Sequence, residues 1–404
     1  MMADSGFLSF HLSPLASEPP TILVGVTNLA SCMGLGARLR VLSQAGFRVL
    51  LVSGSDELLD RTAARAGVER IAIPMRRSIA PLADLVALLR LWWLLGSRRP
   101  ILVEFSTPKA GLLGTLAAKL RGVPRRVYLL RGLKLERSTG IKRRILLAAE
   151  RVACACAQVV LCNSESLRAQ ALALRLAPAN KLLLLGKGSS NGVDVERFCP
   201  GPGNVREKFG IPRDVPVVGF VGRLTRDKGL PELIRAFDQI LLAEPNARLL
   251  LVGWFDTAED ALDHELRTRI LRHPHIHCTG FASETAPYYR AMDVLVLPSW
   301  REGFPNAVLE AAATGIPAVT TETTGARDSV VPEVTGLLIP PGYPEAICEA
   351  VLKLLRDPER RRRMGEAARA WVVEHYSEDR VLGLTANYYL SLLKAEPVAQ
   401  LQHA

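Results

Sequence analysis

Two carboxylates eight residues apart, Glu302 and Glu310, lie in Ser299-Trp-Arg-Glu302-Gly-Phe-Pro-Asn306-Ala-Val-Leu-Glu310-Ala-Ala-Ala-Thr-Gly315-Ile-Pro317. The segment leaves an apolar strand, Val294 to Pro298, passes a tight turn and enters a helix. Glu302 falls in the turn, whereas Asn306 and Glu310, four apart, share the helix face that looks back toward it. The first-turn amides are donors at the positive end of that helix. A carboxylate accepts two hydroxyl hydrogen bonds at once, which suits the diol of a sugar or ribose. The arrangement reads as a cradle for a polyol and a phosphate. A surface glutamate followed by a capped amphipathic helix accounts for the same two acids.

A second group of chemistry-bearing residues opens the later half of the chain, in Val217-Val-Gly-Phe-Val-Gly222-Arg223-Leu-Thr-Arg-Asp-Lys228-Gly229. The strand ends at Gly222, which permits close backbone approach to a phosphate. Arg223 and Lys228 then offer a planar fork and a point charge. No Gly-Lys-Ser/Thr follows at the Walker A interval, so the loop is not of that type. In the earlier half, Glu104, Ser106 and Lys109 flank the strand-to-helix turn of Val103-Glu104-Phe105-Ser106-Thr107-Pro108-Lys109, and Arg131 ends the next strand. In His273-Pro-His275-Ile-His277 at most two imidazoles, His275 and His277, share a face of the expected strand, and no acid stands beside them, so a structural role is expected and no metal. Gly34-Leu-Gly36 lacks the third glycine of a dinucleotide fingerprint.

Something must hold these residues at the ends of strands. Short apolar runs alternate with amphipathic helical stretches, the pattern of parallel sheets with helical crossovers. Strands are expected at Ile22–Val26, Arg48–Val52, Arg70–Ile73, Ile101–Phe105, Val127–Leu130, Val159–Cys162 and Leu182–Leu185, then at Val217–Val221, Arg248–Val252, His275–Thr279, Val294–Leu297, Ala318–Thr320 and Leu337–Ile339. These form two α/β sets, each sized for one doubly wound Rossmann-like unit. The Gly/Ser/Pro-rich stretch from Gly186 to Gly203 separates them, giving domains 1–200 and 201–404. A cleft between the carboxyl ends of the two sheets is where ligands would bind. Residues 1–19 and 396–404 are expected to be poorly ordered.

Of the 404 residues, 49% are hydrophobic and 23% charged, a globular balance. No apolar stretch reaches membrane-spanning length and no basic region precedes an apolar run at the start, so a cytoplasmic protein is expected. The seven cysteines are odd in number and scattered, as reduced thiols acting as small apolar residues would be. Charge is uneven: the net +11 concentrates in the first 200 residues, densest from Lys119 to Arg144. Such a patch attracts phosphates or acidic headgroups. It lacks the interleaved aromatics of a nucleic-acid surface, and none is expected as a partner. Trp92 and Trp93, with their neighbouring leucines and Arg90, Arg98 and Arg99, read either as an interfacial anchor or as ordinary helix core.

The segment Glu302-Gly-Phe-Pro-Asn-Ala-Val-Leu-Glu310-Ala-Ala-Ala-Thr-Gly-Ile-Pro resembles the E-x7-E motif of glycosyltransferase family 4, retaining enzymes of the GT-B fold. Gly222-Arg-Leu-Thr-Arg-Asp-Lys-Gly229 and Gly280-Phe281-Ala282 fit the same family, and Ser106-Thr-Pro-Lys-Ala-Gly-Leu-Leu-Gly114 is similar to a subgroup that builds bacterial surface polysaccharides on lipid-linked carriers. The resemblance spans residues 20–375. It implies two facing domains, with a last helix, Glu378 to Leu393, crossing back to the first. It implies that Glu310 holds the ribose hydroxyls, Glu302 a hydroxyl of the donor sugar, and Arg223 and Lys228 the departing diphosphate. Gly222, Gly303, Phe304, Pro305, Asn306 and Phe281 would line the donor. Glu104, Ser106, Lys109 and Arg131 would face the acceptor, with Glu104 either orienting a hydroxyl or pairing with Arg131 or Lys109. Two departures stand out. Family members often carry a histidine at or beside positions 104 and 106, and the usual G-x-G turn is here Gly253-Trp254-Phe255-Asp256. The implied reaction moves a hexose or HexNAc from a UDP-sugar to a polyprenyl-diphosphate-linked saccharide, without cofactor, at the anionic inner face of the plasma membrane. A sugar-nucleotide epimerase or hydrolase on the same fold, or a non-catalytic scaffold of polysaccharide assembly, are the alternatives.

Overall fold

A computed structural model describes residues 19–27, 35–54, 57–76, 80–257 and 260–394. The chain ends 1–18 and 395–404, together with Cys32 and Gly34, lie outside the described residues, and with them the expectations placed there. Strands form where the apolar runs predicted them: β1 (Thr21–Gly25), β2 (Arg48–Ser53), β3 (Glu69–Ala72), β4 (Leu102–Ser106), β5 (Arg125–Leu130), β6 (Val159–Cys162) and β7 (Leu182–Leu184), then β8 (Val217–Val221), β9 (Arg248–Val252), β10 (Ile276–Cys278), β11 (Val294–Leu297), β12 (Ala318–Thr321) and β13 (Gly336–Ile339). Both sheets are parallel throughout, in the orders β3-β2-β1-β4-β5-β6-β7 and β10-β9-β8-β11-β12-β13. Helices cover both faces, so the central strands are apolar without alternation; Val294 to Leu297 are all buried.

In each sheet the strand order reverses beside the first strand, between β1 and β4 and again between β8 and β11. Neighbouring crossovers diverge there and leave a crevice at the carboxyl ends. The loops after β8 and β11 carry Arg223, Lys228 and Glu302, so the second crevice receives the residues singled out by their chemistry.

The last helix, Glu378–Lys394, crosses back as expected. Its Ala386, Tyr389 and Leu390 belong to the same core cluster as Ile22 and Leu102 of the first sheet. The preceding helix, Pro358–Tyr376, stays with the second sheet through Ala368 and Val372. Between them the chain is pinned by Val193 of the linker, whose amide donates to the Tyr376 carbonyl (2.9 Å) and whose carbonyl accepts from Glu378 (2.8 Å). A β-type pairing thus fixes both interdomain crossings at one point.

The domains also meet across the cleft. A Cβ on Gly303 would sit 1.6 Å from the Arg131 carbonyl oxygen, so the two backbones touch only because residue 303 has no side chain. Nearby, Ser166 Oγ accepts from the Gly325 amide (2.8 Å) and donates to Asp328, whose carboxylate also accepts from the Ser166 amide (3.2 Å).

Candidate active site

Glu302 follows β11 and turns its carboxylate toward the end of β8. Its Oε1 accepts from Lys228 Nζ at 2.5 Å and from Ser299 Oγ at 2.8 Å. Its amide donates to the Thr324 carbonyl after β12 (3.2 Å). A charged acid and amine paired this closely, both largely withdrawn from water, interact far more strongly than a surface pair. The turn that carries Glu302 lies directly under the Arg131–Gly132 backbone of the first domain. The Lys228–Glu302 pair is thus held at the turn that the first domain touches.

Arg223 occupies the next position in the same crevice. It donates to Asp256 Oδ2 at 2.7 Å and lies 3.6 Å from Asp227, which also takes Arg301 at 3.3 Å and the Thr225 hydroxyl at 2.6 Å. Asp227 titrates below the ordinary carboxylate value: burial pushes it up, but Thr225 and the cations Lys228, Arg223 and Arg301 outweigh that. The bulky Gly253–Asp256 loop, read in the sequence only as a departure, holds Asp256 in place. Gly253 adopts φ +150° with its Cα against the Gly222 carbonyl, and Leu224 donates to the Trp254 carbonyl (2.9 Å).

Glu310 lies on the helix Asn306–Ala313 and is engaged elsewhere, accepting from Tyr289 Oη at 2.7 Å. Its pKa is raised, chiefly by burial, and the Tyr289 hydroxyl and Arg197 oppose the rise. Glu302 is held by Lys228 and Ser299 and Glu310 by Tyr289, so the two acids stand at separate stations. Asn306 is the first residue of the helix, and Gly303 and Pro305 are buried at its entry. The Phe304 ring turns away into the core against Tyr376, centroids 5.2 Å apart, leaving only its main chain for a ligand. Phe281 is 51% exposed and meets Trp254 edge to face at 5.5 Å, an aromatic corner at the ends of β9 and β10.

In the first domain the structure corrects one pairing. Glu104 binds neither Arg131 nor Lys109. It is 1% exposed and accepts from Arg38 (2.5 Å) and from Tyr389 of the last helix. Arg38 also donates to the Ser190 carbonyl of the linker (2.8 Å). An acceptor hydroxyl would have to break this interdomain strut, so Glu104 is better assigned to structure than to an acceptor. Lys109 pairs with Asp84 (2.5 Å), Arg131 donates to Ser190 Oγ (2.9 Å), and Ser106 is buried. Arg131 and, through Arg38, Glu104 both reach Ser190, whereas Lys109 is held by Asp84. The expected structural role of the histidines has visible partners: His275 Nδ1 lies 2.7 Å from Arg248, and its ring meets that of His273 edge to face. Among the described residues no three His, Cys, Asp or Glu side chains are grouped to hold a metal.

Comparison with known proteins places this geometry. Residues 203–371 match the family model "Glycosyl transferases group 1" and residues 31–188 match "Glycosyl transferase 4-like domain". A capsular polysaccharide biosynthesis glycosyltransferase, CapM of Staphylococcus aureus, is 37% identical over 323 residues, covering 80% of this chain and 85% of its own. The chain belongs to glycosyltransferase family 4. A UDP-Gal:alpha-D-GlcNAc-diphosphoundecaprenol alpha-1,3-galactosyltransferase of Escherichia coli is 27% identical over 70% of this chain and 73% of its own. Anabaena HepE, solved with UDP and glucose, superposes with a TM-score of 0.78 at 19% identity, covering 92% of this chain and 100% of its own. The fold is GT-B.

A second surface of this glycosyltransferase has a composition of its own. The helices Pro81–Arg98, Pro108–Leu120 and Gly140–Cys156 lie side by side on the first domain. Leu82, Leu85, Val86, Leu89 and Trp93, at helical spacing, form an exposed apolar stripe on the first of them. Leu120, Ile141 and Ile145 are exposed on the other two, among the exposed Arg90, Lys119, Arg121, Lys142, Arg143 and Arg144. The tryptophan pair divides: Trp93 is 69% exposed, whereas Trp92 lies half-buried beneath the Arg121 guanidinium, 3.4 Å from its ring. No helix of the described residues is long and apolar enough to cross a membrane.

Proposed function

We propose that this family 4 glycosyltransferase moves a hexose or HexNAc from a UDP-sugar, with retention of configuration, to a saccharide on a polyprenyl-diphosphate carrier. The reaction would serve assembly of a surface polysaccharide at an anionic membrane face. The observation that carries the reading is the Lys228–Glu302 pair at the β8/β11 crevice, roofed by Arg131 and Gly132. A donor sugar entering there meets an acid for its hydroxyls, with Lys228 and Arg223 for its diphosphate. Main-chain amides at Gly303, Phe304 and Asn306 complete the anion's surroundings. As the glycosidic carbon–oxygen bond breaks, charge grows on the leaving phosphate, and these cations stabilise it in a cleft poor in water. The leaving oxygen can take the acceptor proton on the same face, so attack from that face needs no histidine in the first domain. Glu310, held by Tyr289, suits the ribose diol.

The acceptor and membrane parts rest on the names of relatives and on the apolar and basic face. The E. coli relative is named for a UDP-sugar and a diphosphoundecaprenol-linked acceptor, and CapM for capsular polysaccharide. The stripe of Leu82 to Trp93, ringed by cations, matches an anionic bilayer: apolar side chains for its interface and charges for its headgroups. The helix bearing the stripe follows β3, so Leu82 and Leu85 lie toward the cleft end of the domain.

Purified protein supplied with UDP-, GDP- and ADP-sugars and a polyprenyl-diphosphate saccharide tests the reading. Expected is acceptor-dependent release of UDP, with the new linkage keeping the donor's anomeric configuration by NMR. No nucleotide binding or release with any donor would remove the proposal; free sugar or an epimer formed without acceptor would replace it with hydrolysis or epimerisation.

A further inference from the structure

The cations assigned to the donor diphosphate are already balanced. Arg223 and Arg301 join Asp227 and Asp256 in one connected set, and Lys228 pairs with Glu302 beside it, so that three cations stand against three carboxylates. The three acids are not equivalent. Asp227 is almost wholly buried and locked by the Thr225 hydroxyl and Arg301. Glu302 is taken by Lys228 and Ser299 and faces the sugar position. Asp256 comes from a separate loop after β9, is the most exposed of the three, and makes the shortest contact to Arg223. Its position is imposed by backbone: Gly222 donates to Val252 (2.9 Å) and Leu224 to Trp254 (2.9 Å), so the loops after β8 and β9 continue the sheet's pairing past its end.

We propose that Asp256 is a positioning residue, a resident counter-charge that competes with the nucleoside diphosphate for Arg223. In the empty site it holds the guanidinium extended toward the crevice. When the diphosphate is present, the carboxylate repels it and shares its strongest cation, so the product is held less tightly and leaves faster. An anion bound by several charge-assisted bonds dissociates slowly, and a fixed opposing charge within hydrogen-bond distance of one donor shortens its residence. The inference deepens the functional reading above and rests on its placement of the diphosphate at Arg223.

Titration calorimetry of the full chain with UDP, and with GDP and ADP in parallel, gives the test. Asp256→Asn should tighten the diphosphate on the order of tenfold. It should lower kcat and the donor KM together, as release becomes slower, and steepen the loss of UDP affinity with added salt. In an Arg223→Ala background the same substitution should tighten the diphosphate by a different factor, because the part of the effect that acts through that guanidinium is gone; equal factors in the two backgrounds would show that Asp256 does not act through Arg223. Asp256→Ser serves as the second variant if the amide fails to fold; merely structural damage would weaken binding, not tighten it. Unchanged or weaker UDP binding in a folded Asp256 variant, with the wild type binding normally, overturns the inference and leaves the functional reading standing. A wild type that binds no nucleoside diphosphate overturns both.

Discussion

Gly303 and Arg131 belong to different domains, and a Cβ on Gly303 would lie 1.6 Å from the Arg131 carbonyl oxygen. The closed cleft therefore depends on the absence of one methyl group in the turn that follows Glu302. Gly303→Ala must push the Arg131–Gly132 roof outward by more than an ångström, because the clash is with backbone and no side chain can rotate out of the way. Transfer should fall on the order of a hundredfold, since misplacing a reacting group by about that distance costs this much. Nucleotide binding to the second domain should survive, and the melting temperature should change little. Small-angle scattering should show a wider molecule. Wild-type turnover in a folded Gly303→Ala protein would refute the closure argument.

Glu302 and Glu310 should separate in kinetics as they do in space. Glu302→Ala removes the sugar's acid and frees Lys228 from its carboxylate, so turnover should drop about 10²- to 10³-fold while UDP binds no worse. Glu310→Ala leaves Tyr289 without its acceptor and should chiefly weaken donor binding. Because burial raises the Glu310 pKa, donor affinity should also fall with decreasing pH earlier than an ordinary carboxylate would dictate, and Glu310→Gln should abolish that step. Steady-state kinetics with calorimetry decides this. Unchanged product yield with Glu302→Ala in cells would instead favour a scaffold.

The strands were legible because parallel sheets covered on both faces need uninterrupted apolar runs, and such runs are local in sequence. The place of Glu302 in the turn between β11 and its helix was legible for the same reason: its glycine and proline sit within five residues of it. Glu104 was not, because its partners Arg38 and Tyr389 lie 66 and 285 positions away, and only the return of the last helix brings them together. Asp256 stood in plain view as a departure from the family's turn, but its role depends on Arg223, which a different strand delivers. Likewise Ser166 and Asp328 meet only through domain closure, 162 residues apart. Pairing across sheets and domains leaves no periodic trace.

Glu150 makes a clean case for stability against pH. It is buried on the helix Gly140–Cys156, accepts from Tyr128 Oη at 2.8 Å, and burial pushes its pKa from 4.5 up to about 7, against the lowering effect of that hydrogen bond. The folded state thus holds the proton more tightly than the unfolded chain. Its stabilising contribution is complete below pH 4.5 and is lost as pH rises through about 7. Glu150→Gln keeps an acceptor for Tyr128 and carries no charge to bury. It should be about 1–3 kcal/mol more stable than the wild type at pH 8 and nearly equal at pH 4.5. Urea melts across that range measure it; a stability difference that does not grow with pH would show that the carboxyl is ionised throughout.

Membrane contact, if made by the face carrying Trp93, should respond differently to its two chemistries. Trp93→Ala and Leu89→Ala remove exposed apolar surface, whereas Trp92 is already covered by Arg121 and its loss would act on packing. On vesicles of a neutral lipid with anionic phosphatidylglycerol, binding should weaken as salt rises, because Lys142, Arg143 and Arg144 act through screened charge. Replacing these three with glutamine should cost about 1 kcal/mol each and flatten the salt response. Trp93→Ala should lower affinity equally at every salt concentration and abolish the blue shift of tryptophan fluorescence on binding. Binding unaffected by either set would move the contact to another surface, while a blue shift that persists without Trp93 would assign insertion to a different tryptophan.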